Sequence, residues 1–193
     1  MATKTEELLQ KIINGADPFA MARYATEYES AIQTAATAAL VVRPSTLGAI
    51  TIWNGEARGG KSLVIDRLFS HNLVSTAAEA RSGLWYCVHL EMTKPTNDIT
   101  TLRGTGDGRE PDNSMVVVDV GATVLDNGWF PAGDGGGDVV EPTGTLPGGL
   151  LEWEVKGRLV IPPKTGFSIQ VVGSIVGNTF TSGVSWWRHQ LYP

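Results

Sequence analysis

The sequence predicts a mainly β fold, a β-sandwich or jelly roll with an N-terminal helical arm. Apolar and polar residues alternate with a period of two in the C-terminal third of the chain. The 23 glycines and 10 prolines among 193 residues suit a turn-rich β architecture. Helical spacing of apolar residues is clear only near the N-terminus, so we assign residues 1–42 to the arm and residues 43–193 to the sandwich.

Two consecutive helices are predicted in the arm. Thr5 can cap the first helix, and Gly15 ends it. Asp17 and Pro18 form the start signal of the second helix, which we extend to Leu40. Because the arm is small-sided and amphipathic, it would be most stable against the same segment of another subunit. The arm is therefore predicted to serve oligomerisation.

The strands are predicted from apolar runs and from alternation. Leu151, Trp153 and Val155 alternate with glutamates, which is typical of a half-buried strand. Gly177 with the following asparagine predicts a tight hairpin, because glycine accepts a positive φ. Ser62–Phe69 fits either a strand or the start of a helix. Further strands are expected in Leu47–Trp53, Gly83–Met92, Ser114–Leu125, Phe167–Val171 and Phe180–Trp187, a turn at Pro162–Gly166, and long loops at Thr101–Asn113 and Asp126–Gly149.

One stretch, Gly55–Ser62, matches the phosphate-binding pattern G-x-x-x-x-G-K-[ST]. In a working site the backbone around Gly55 and Gly60 would wrap the phosphates, Lys61 would meet them and Ser62 would bind magnesium. Asp119 is a candidate acidic partner. The pattern needs a helix after the loop and crossover helices between parallel strands, and the sequence offers neither. We therefore interpret the stretch as a structural turn in a hairpin whose second strand begins at Lys61.

Two other groups of residues have metal-ligand chemistry. Cys87 and His89 are two apart on a predicted strand and point to one face, but no second pair lies at ligand spacing. We therefore favour a buried cysteine and a histidine that is either hydrogen-bonded within the protein or exposed to solvent. The acidic glycine-rich segment that contains Asp126, Asp134, Asp138 and Glu141 could offer carboxylates to calcium. Because a calcium site needs six or more oxygens, a solvated loop is favoured there as well.

Composition excludes several classes of function. The net charge of −5 argues against a nucleic-acid-binding face. A single cysteine excludes an internal disulfide framework, and neither a signal peptide nor a membrane span is expected. No nucleophile elbow or catalytic triad can be nominated. We therefore expect a non-enzymatic protein without cofactor or metal, with no direct contact to nucleic acid or membrane.

Aromatic residues supply the candidate contact sites. Four of the six tryptophans fall on predicted strands and are expected in the core: Trp53, Trp85, Trp153 and Trp186. The others fit a subunit interface or a sugar platform, because an aromatic ring combines apolar area with specific geometry. The full set of candidate interface residues is Phe19, Tyr24, Tyr28, Trp129, Phe130 and Trp187.

Several stretches together resemble the β-sandwich virion proteins of tailed bacteriophages, of the head decoration or cement type. Ile50–Gly55 followed by Gly59–Arg67 looks like the first strands and glycine-rich loop of such proteins. Val140–Gly149 is similar to their loop before the last strands, and Arg158–Gly166 with Gly177–Trp187 looks like their closing hairpin. The resemblance implies a jelly-roll fold, a homotrimer on the surface of the capsid, no catalysis and no cofactor.

Three functions are carried forward. The leading hypothesis is a homo-oligomeric virion structural protein, made in the host cytoplasm, that stabilises the phage head by binding the major capsid protein. The second is a carbohydrate- or receptor-binding module on the same fold, with Trp129 as its sugar platform. The third is a nucleotide hydrolase that uses Lys61, Ser62 and Asp119.

Overall fold

Two antiparallel sheets form a sandwich-like, mainly β protein. The computed structural model describes residue 5 and residues 28–76, 81–95, 101–103, 116–119, 128–132 and 149–191. Sheet A has the order β6 (Thr101–Arg103), β1 (Tyr28–Ile32), β11 (Thr179–His189), β4 (Ser62–Val74) and β9 (Leu150–Ile161), with β2 (Thr37–Ala38) also pairing with β11. Sheet B has the order β7 (Val116–Asp119), β3 (Ile50–Asn54), β10 (Thr165–Gly173), β5 (Ser82–Glu91) and β8 (Phe130–Pro131).

The strand pairs are nested in the chain. Strand β1 pairs with β11, β3 with β10, β4 with β9 and β5 with β8, all antiparallel. Two further pairs, β11 with β4 and β10 with β5, complete the inner part of each sheet. Along the chain, β1, β3, β4 and β5 therefore alternate between sheet A and sheet B, and β8, β9, β10 and β11 alternate in the reverse order. Residues far apart in sequence meet in the core as a result.

The core lies between the two sheets, and alternation predicted which side chains enter it. Leu151 and Val155 are buried while their glutamate neighbours are exposed, so the predicted pattern of this strand is confirmed. Phe167, Ile169 and Val171 of the next strand are also buried in the core, and Ser168 and Gln170 between them are buried on the other face. The largest fully buried side chains include Trp186, Phe167, Phe180, Ile50, Ile52, Leu63, Ile65, Leu68, Ile161 and Ile169.

Most predicted β segments contain a strand, although their bounds shift. The ambiguous segment after Lys61 is a strand of 13 residues. Two predicted loops each contain a short strand, because β6 and β8 add to sheet edges where local sequence gives no strong signal. Trp186 is fully buried as predicted, whereas Trp53, Trp85 and Trp153 are only partly buried.

The predicted helix is wrong over residues 28–40. Tyr28–Ile32 is a strand that pairs on one side with β11 and on the other with β6. Glu29 and Ala31 are buried between the sheets, and the Gln33 amide donates to the carbonyl of Ala49 (2.6 Å). Ladder bonds and core burial thus override the local helical spacing. The part of the predicted arm before Tyr28, with Phe19 and Tyr24, lies outside the described residues except for Thr5.

The predicted hairpin at Gly177 is also wrong, because β10 and β11 belong to different sheets. The connection between them crosses from sheet B to sheet A. Asn178 fixes this crossing, since its fully buried side chain accepts hydrogen bonds from Ser75 Oγ (3.0 Å) and Thr76 N (3.1 Å) after β4. Its carbonyl accepts from Ala39 N (2.8 Å). The asparagine therefore joins the crossing to two other segments.

Two glycines with positive φ give a matched test of these connections. We expect Gly177→Ala to lower the free energy of unfolding by about 1–3 kcal/mol, because φ is +101° and a Cβ would lie 3.0 Å from the Thr76 side chain. Gly59→Ala shares the positive φ of +85° but would meet nothing within 4 Å, so its cost should be smaller. Urea unfolding of both variants measures the difference. Equal losses would contradict the Thr76 contact.

Candidate functional site

The Gly55–Ser62 loop joins two strands, and a helix does not follow it. The loop leaves β3 in sheet B and enters β4 in sheet A, where the strand begins at Ser62 and not at Lys61. The predicted hairpin is therefore wrong, since β3 pairs with β7 and β10 instead of β4. Asp119 lies on β7, which runs antiparallel to β3. A phosphate site of this pattern needs a helix after the loop, and here a strand takes its place.

Protein side chains hold this loop. The Asn54 amide donates to the carbonyls of Lys61 (2.9 Å) and Ile161 (3.0 Å), and its oxygen accepts from Glu56 N (3.2 Å). Lys164 Nζ donates to the carbonyl of Gly55 (2.8 Å). Inside the loop, Gly60 N donates to Ala57 O (2.8 Å). Two backbone N–H groups that a phosphate would need are thus used within the loop.

A carboxylate already lies inside the loop. A Cβ on Gly60 would lie 2.6 Å from Glu56 Oε2, and Glu56 Oε1 accepts from Arg188 (2.7 Å). The same guanidinium lies 3.6 Å from Glu29 Oε1, and Glu29 Oε2 accepts from Trp186 Nε1 (3.1 Å). We call Glu29, Glu56 and Arg188 the buried ion group. The Glu56 carboxylate of this group lies beside Gly60. It disfavours a phosphate there, because like charges repel.

A chain of polar side chains runs across the outer side of sheet B. Cys87 Sγ lies 3.7 Å from His89 Nδ1, and His89 Nε2 lies 2.7 Å from Ser168 Oγ. Ser168 Oγ is also 2.7 Å from Thr51 Oγ1. All four residues are at least 97% buried. Cys87 and His89 share a face as predicted, but among the described residues no group of three or more His, Cys, Asp or Glu could hold a metal.

Trp129 and Phe130, the two adjacent aromatic residues of the predicted sugar platform, differ in their exposure to solvent. Trp129 is only 2% exposed, and its Nε1 donates to the carbonyl of Ser45 (3.2 Å). The expectation that Trp129 offers an open ring is therefore wrong. Phe130 is 58% exposed and its ring centroid lies 6.0 Å from that of Tyr86. The candidate calcium ligands Asp126, Asp134, Asp138 and Glu141 lie outside the described residues.

Tyr28 and Trp187 meet on the outer face of sheet A. They are cross-strand partners, their ring centroids are 4.3 Å apart and their planes are inclined by 41°. The Tyr28 hydroxyl donates to Asp66 Oδ2 (3.0 Å). Both rings are partly buried and partly open to solvent. Of the four predicted interface residues that the structure describes, Tyr28 and Trp187 are the two whose rings contact each other.

A bulge in β4 places ionised groups beside this pair. Ile65 faces Trp186 and Arg67 faces Ser185, so Asp66 is an extra residue in the strand. A bulge redirects side chains, and both Asp66 and Arg67 reach partners on the outer face. Arg67 forms an ion pair with Glu152 of β9. We call Tyr28, Asp66, Arg67, Glu152 and Trp187 the outer-face cluster.

The sequence patterns did not indicate Asp66, Arg67 or Glu152 as site residues, nor did they indicate the buried ion group. A signal was present, since Asp66 and Arg67 interrupt an apolar strand and Arg188 follows two tryptophans. Where the alternating pattern of a strand calls for an apolar residue, a charged residue indicates one of two things. Either the charge is buried against a partner of opposite charge, or the strand has a bulge. The position alone does not identify the partner, which comes from another strand.

The phenol of Tyr28 has a shifted pKa that can be measured by alkaline titration. Burial is the main cause that raises the pKa of its phenol above 10.0, and the negative charge of Asp66 acts in the same direction. The neutral phenol therefore contributes stability that is fully present below the unfolded pKa and is lost as pH rises through the folded pKa. We expect the near-ultraviolet tyrosinate absorbance of Tyr28→Phe to lose a component that titrates above the ordinary tyrosine pKa. Loss of a component that titrates at the ordinary tyrosine pKa would contradict the burial of this phenol.

Comparison with protein-family models, curated proteins and solved structures gave no significant match. Within the part of the chain that the structure describes, no helix is long and apolar enough to cross a membrane. The fold and the arrangement of the side chains are therefore the basis on which a function is proposed.

Proposed function

We propose that this protein is a non-enzymatic virion structural protein, of the head decoration or cement type, that acts as a homo-oligomer. The observation that carries the proposal is the nested strand order. In the pairs β1–β11, β3–β10, β4–β9 and β5–β8, a long antiparallel hairpin is rolled into two sheets. This order is that of a jelly roll, an architecture that is used by viral capsid and lectin domains.

A strip of exposed apolar side chains supports a protein–protein contact. Leu90 is 79% exposed, Phe130 is 58% exposed and Val88 is 36% exposed. They lie on the neighbouring strands β5 and β8, in a region where Tyr86 contacts Phe130. Exposed apolar residues that cluster in this way mark interaction surfaces. In the proposal this strip contacts a second copy of the chain, and the segment before Tyr28 forms the helical arm of the oligomer.

The acidic balance of the chain is consistent with a role on the outside of a particle. A net charge of −5 gives little attraction to nucleic acid, which is packed inside such particles. The major capsid protein is the partner in this proposal. The Gly55–Ser62 loop then acts as a connection between the two sheets, fixed by Asn54 and by the buried ion group.

The mass of the protein in solution tests the proposal. We expect the purified chain to have the mass of three copies by light scattering and to be found in purified particles. Phe130→Asp should lower the mass to that of one copy, because it places a charge in the contact. Val176→Asp is the matched control, since Val176 is 75% exposed on the connection between β10 and β11. A wild-type monomer that is absent from particles would overturn the proposal.

A further inference from the structure

We propose that the outer-face cluster of Tyr28, Asp66, Arg67, Glu152 and Trp187 is a binding site for a neutral saccharide. This function is separate from assembly through Phe130 and Leu90, because the cluster lies on sheet A and the apolar strip lies on sheet B. It also differs from the sugar platform predicted at Trp129, whose ring is buried.

The aromatic pair provides a surface for the apolar face of a pyranose ring. The ring centroids of Tyr28 and Trp187 are 4.3 Å apart, so the two rings lie against each other, and both residues remain partly open to solvent. Aromatic side chains with a polar end are suited to ligands that are apolar on one side and wet on the other. The ring planes are inclined by 41°, and in the proposal the ligand contacts the open part of this tilted pair, which we call the platform.

Charged side chains of β4 lie beside the platform, and Arg67 links them to Glu152 of β9; such groups match the hydroxyl groups of a sugar. Asp66 is held by the Tyr28 hydroxyl through one carboxylate oxygen, Oδ2. Arg67 and Glu152 form an ion pair whose side chains are 41% and 36% exposed. A carboxylate accepts hydrogen bonds and a guanidinium donates several in a planar fork, so neighbouring hydroxyls can be bound from both sides.

The strand pairing of β4 is irregular beside the aromatic pair. The bulge at Asp66 interrupts the pairing of β4 with both of its neighbours, β11 and β9. On the β9 side, residues 155–158 lie between the paired positions Glu154 and Leu159, and Lys156 and Gly157 have positive φ (52° and 75°). Bulges are common next to binding sites, where they redirect side chains. Here the bulge brings Asp66 and Arg67 to the same face as the aromatic pair.

The charge of the cluster favours a neutral ligand. Two carboxylates and one guanidinium give a formal charge of −1, and the guanidinium is already paired with Glu152. A sulfated or otherwise anionic glycan bound to the cluster would be repelled by the carboxylates of Asp66 and Glu152. A neutral hexose or N-acetylhexosamine oligosaccharide carries the hydroxyls and the apolar ring face without that penalty.

An array of neutral hexose and N-acetylhexosamine oligosaccharides, with sulfated glycans as a second set, tests the site on the full chain. We expect the wild type to bind neutral glycans. Trp187→Ala should weaken this binding by about tenfold or more, and Asp66→Asn should weaken it measurably while keeping the side-chain shape. Val176→Ala is the control on an exposed connection outside both the cluster and the apolar strip, and it should bind as the wild type does.

Each outcome decides the question. Loss in the two cluster variants together with retention in Val176→Ala supports the site, and if Trp187→Ala fails to fold, Asp66→Asn alone decides. Absence of binding by the wild type at millimolar glycan, binding restricted to sulfated glycans, or equal binding by wild type and Asp66→Asn would overturn it. A Trp187→Ala variant that changes the oligomer mass and not glycan binding would show that the face is a subunit contact, and would also overturn it.

Discussion

Arg188→Met is expected to lower the free energy of unfolding by about 3–5 kcal/mol. The guanidinium side chain is only 5% exposed and lies between Glu29, which is fully buried, and Glu56, which is 15% exposed. Methionine keeps much of the volume and removes the charge, so Glu29 would stay buried without this cation. A buried charge that loses its partner costs far more than the pair contributes when intact.

Urea denaturation of the single variant and of the double variant Glu29→Gln with Arg188→Met measures this effect. The double variant removes the charge at Glu29 together with that of Arg188, and glutamine can still accept from Trp186 Nε1. We therefore expect its loss to be clearly smaller than that of Arg188→Met alone. A double variant that is less stable than the single variant would contradict the electrostatic explanation.

The second large effect is expected at the adjacent tryptophans of β11. Trp186→Ala should lower the free energy of unfolding by about 3–5 kcal/mol, because the side chain is fully buried in the core. Trp187→Ala makes the same chemical change one residue later, on the outer face. It should cost about 1–2 kcal/mol, since the lost contact is mainly that with the Tyr28 ring.

Thermal and urea unfolding of the two alanine variants provide the measurement. The difference between them reports which face of β11 each side chain occupies, because local sequence and strand are shared. A loss in Trp187→Ala as large as that in Trp186→Ala would contradict this assignment. A small loss would also provide the folded variant that the glycan experiment uses.

The case of Gly55–Ser62 shows how far a motif can be interpreted without the fold. The residues match the phosphate-binding pattern, and the sequence context correctly predicted that a strand and not a helix follows. The sequence did not indicate that the two flanking strands lie in different sheets. It also gave no sign that Glu56 points back to Gly60 and to Arg188, because Arg188 is 132 residues away along the chain.

The candidate sites were predictable in part. Cys87 and His89 were predicted to share a face, and Tyr28 and Trp187 were both proposed as contact residues, but their meeting across β1 and β11 was not predicted. The error at residues 28–40 explains this. Once Tyr28 was assigned to a helix, no strand was left to place it beside Trp187.

The sequence by itself determined the β class, the faces of β9 and β10 and the burial of Trp186, because alternation is a local property that a strand expresses wherever it lies. Only the tertiary structure decided that β1 is a strand, that the connections at Gly55–Ser62 and Gly177 cross between sheets, and that Arg188 lies between two glutamates. Strand partners and buried ion pairs depend on which distant segments share the core. That choice is made by burial and ladder hydrogen bonds across the whole chain, which no local pattern records.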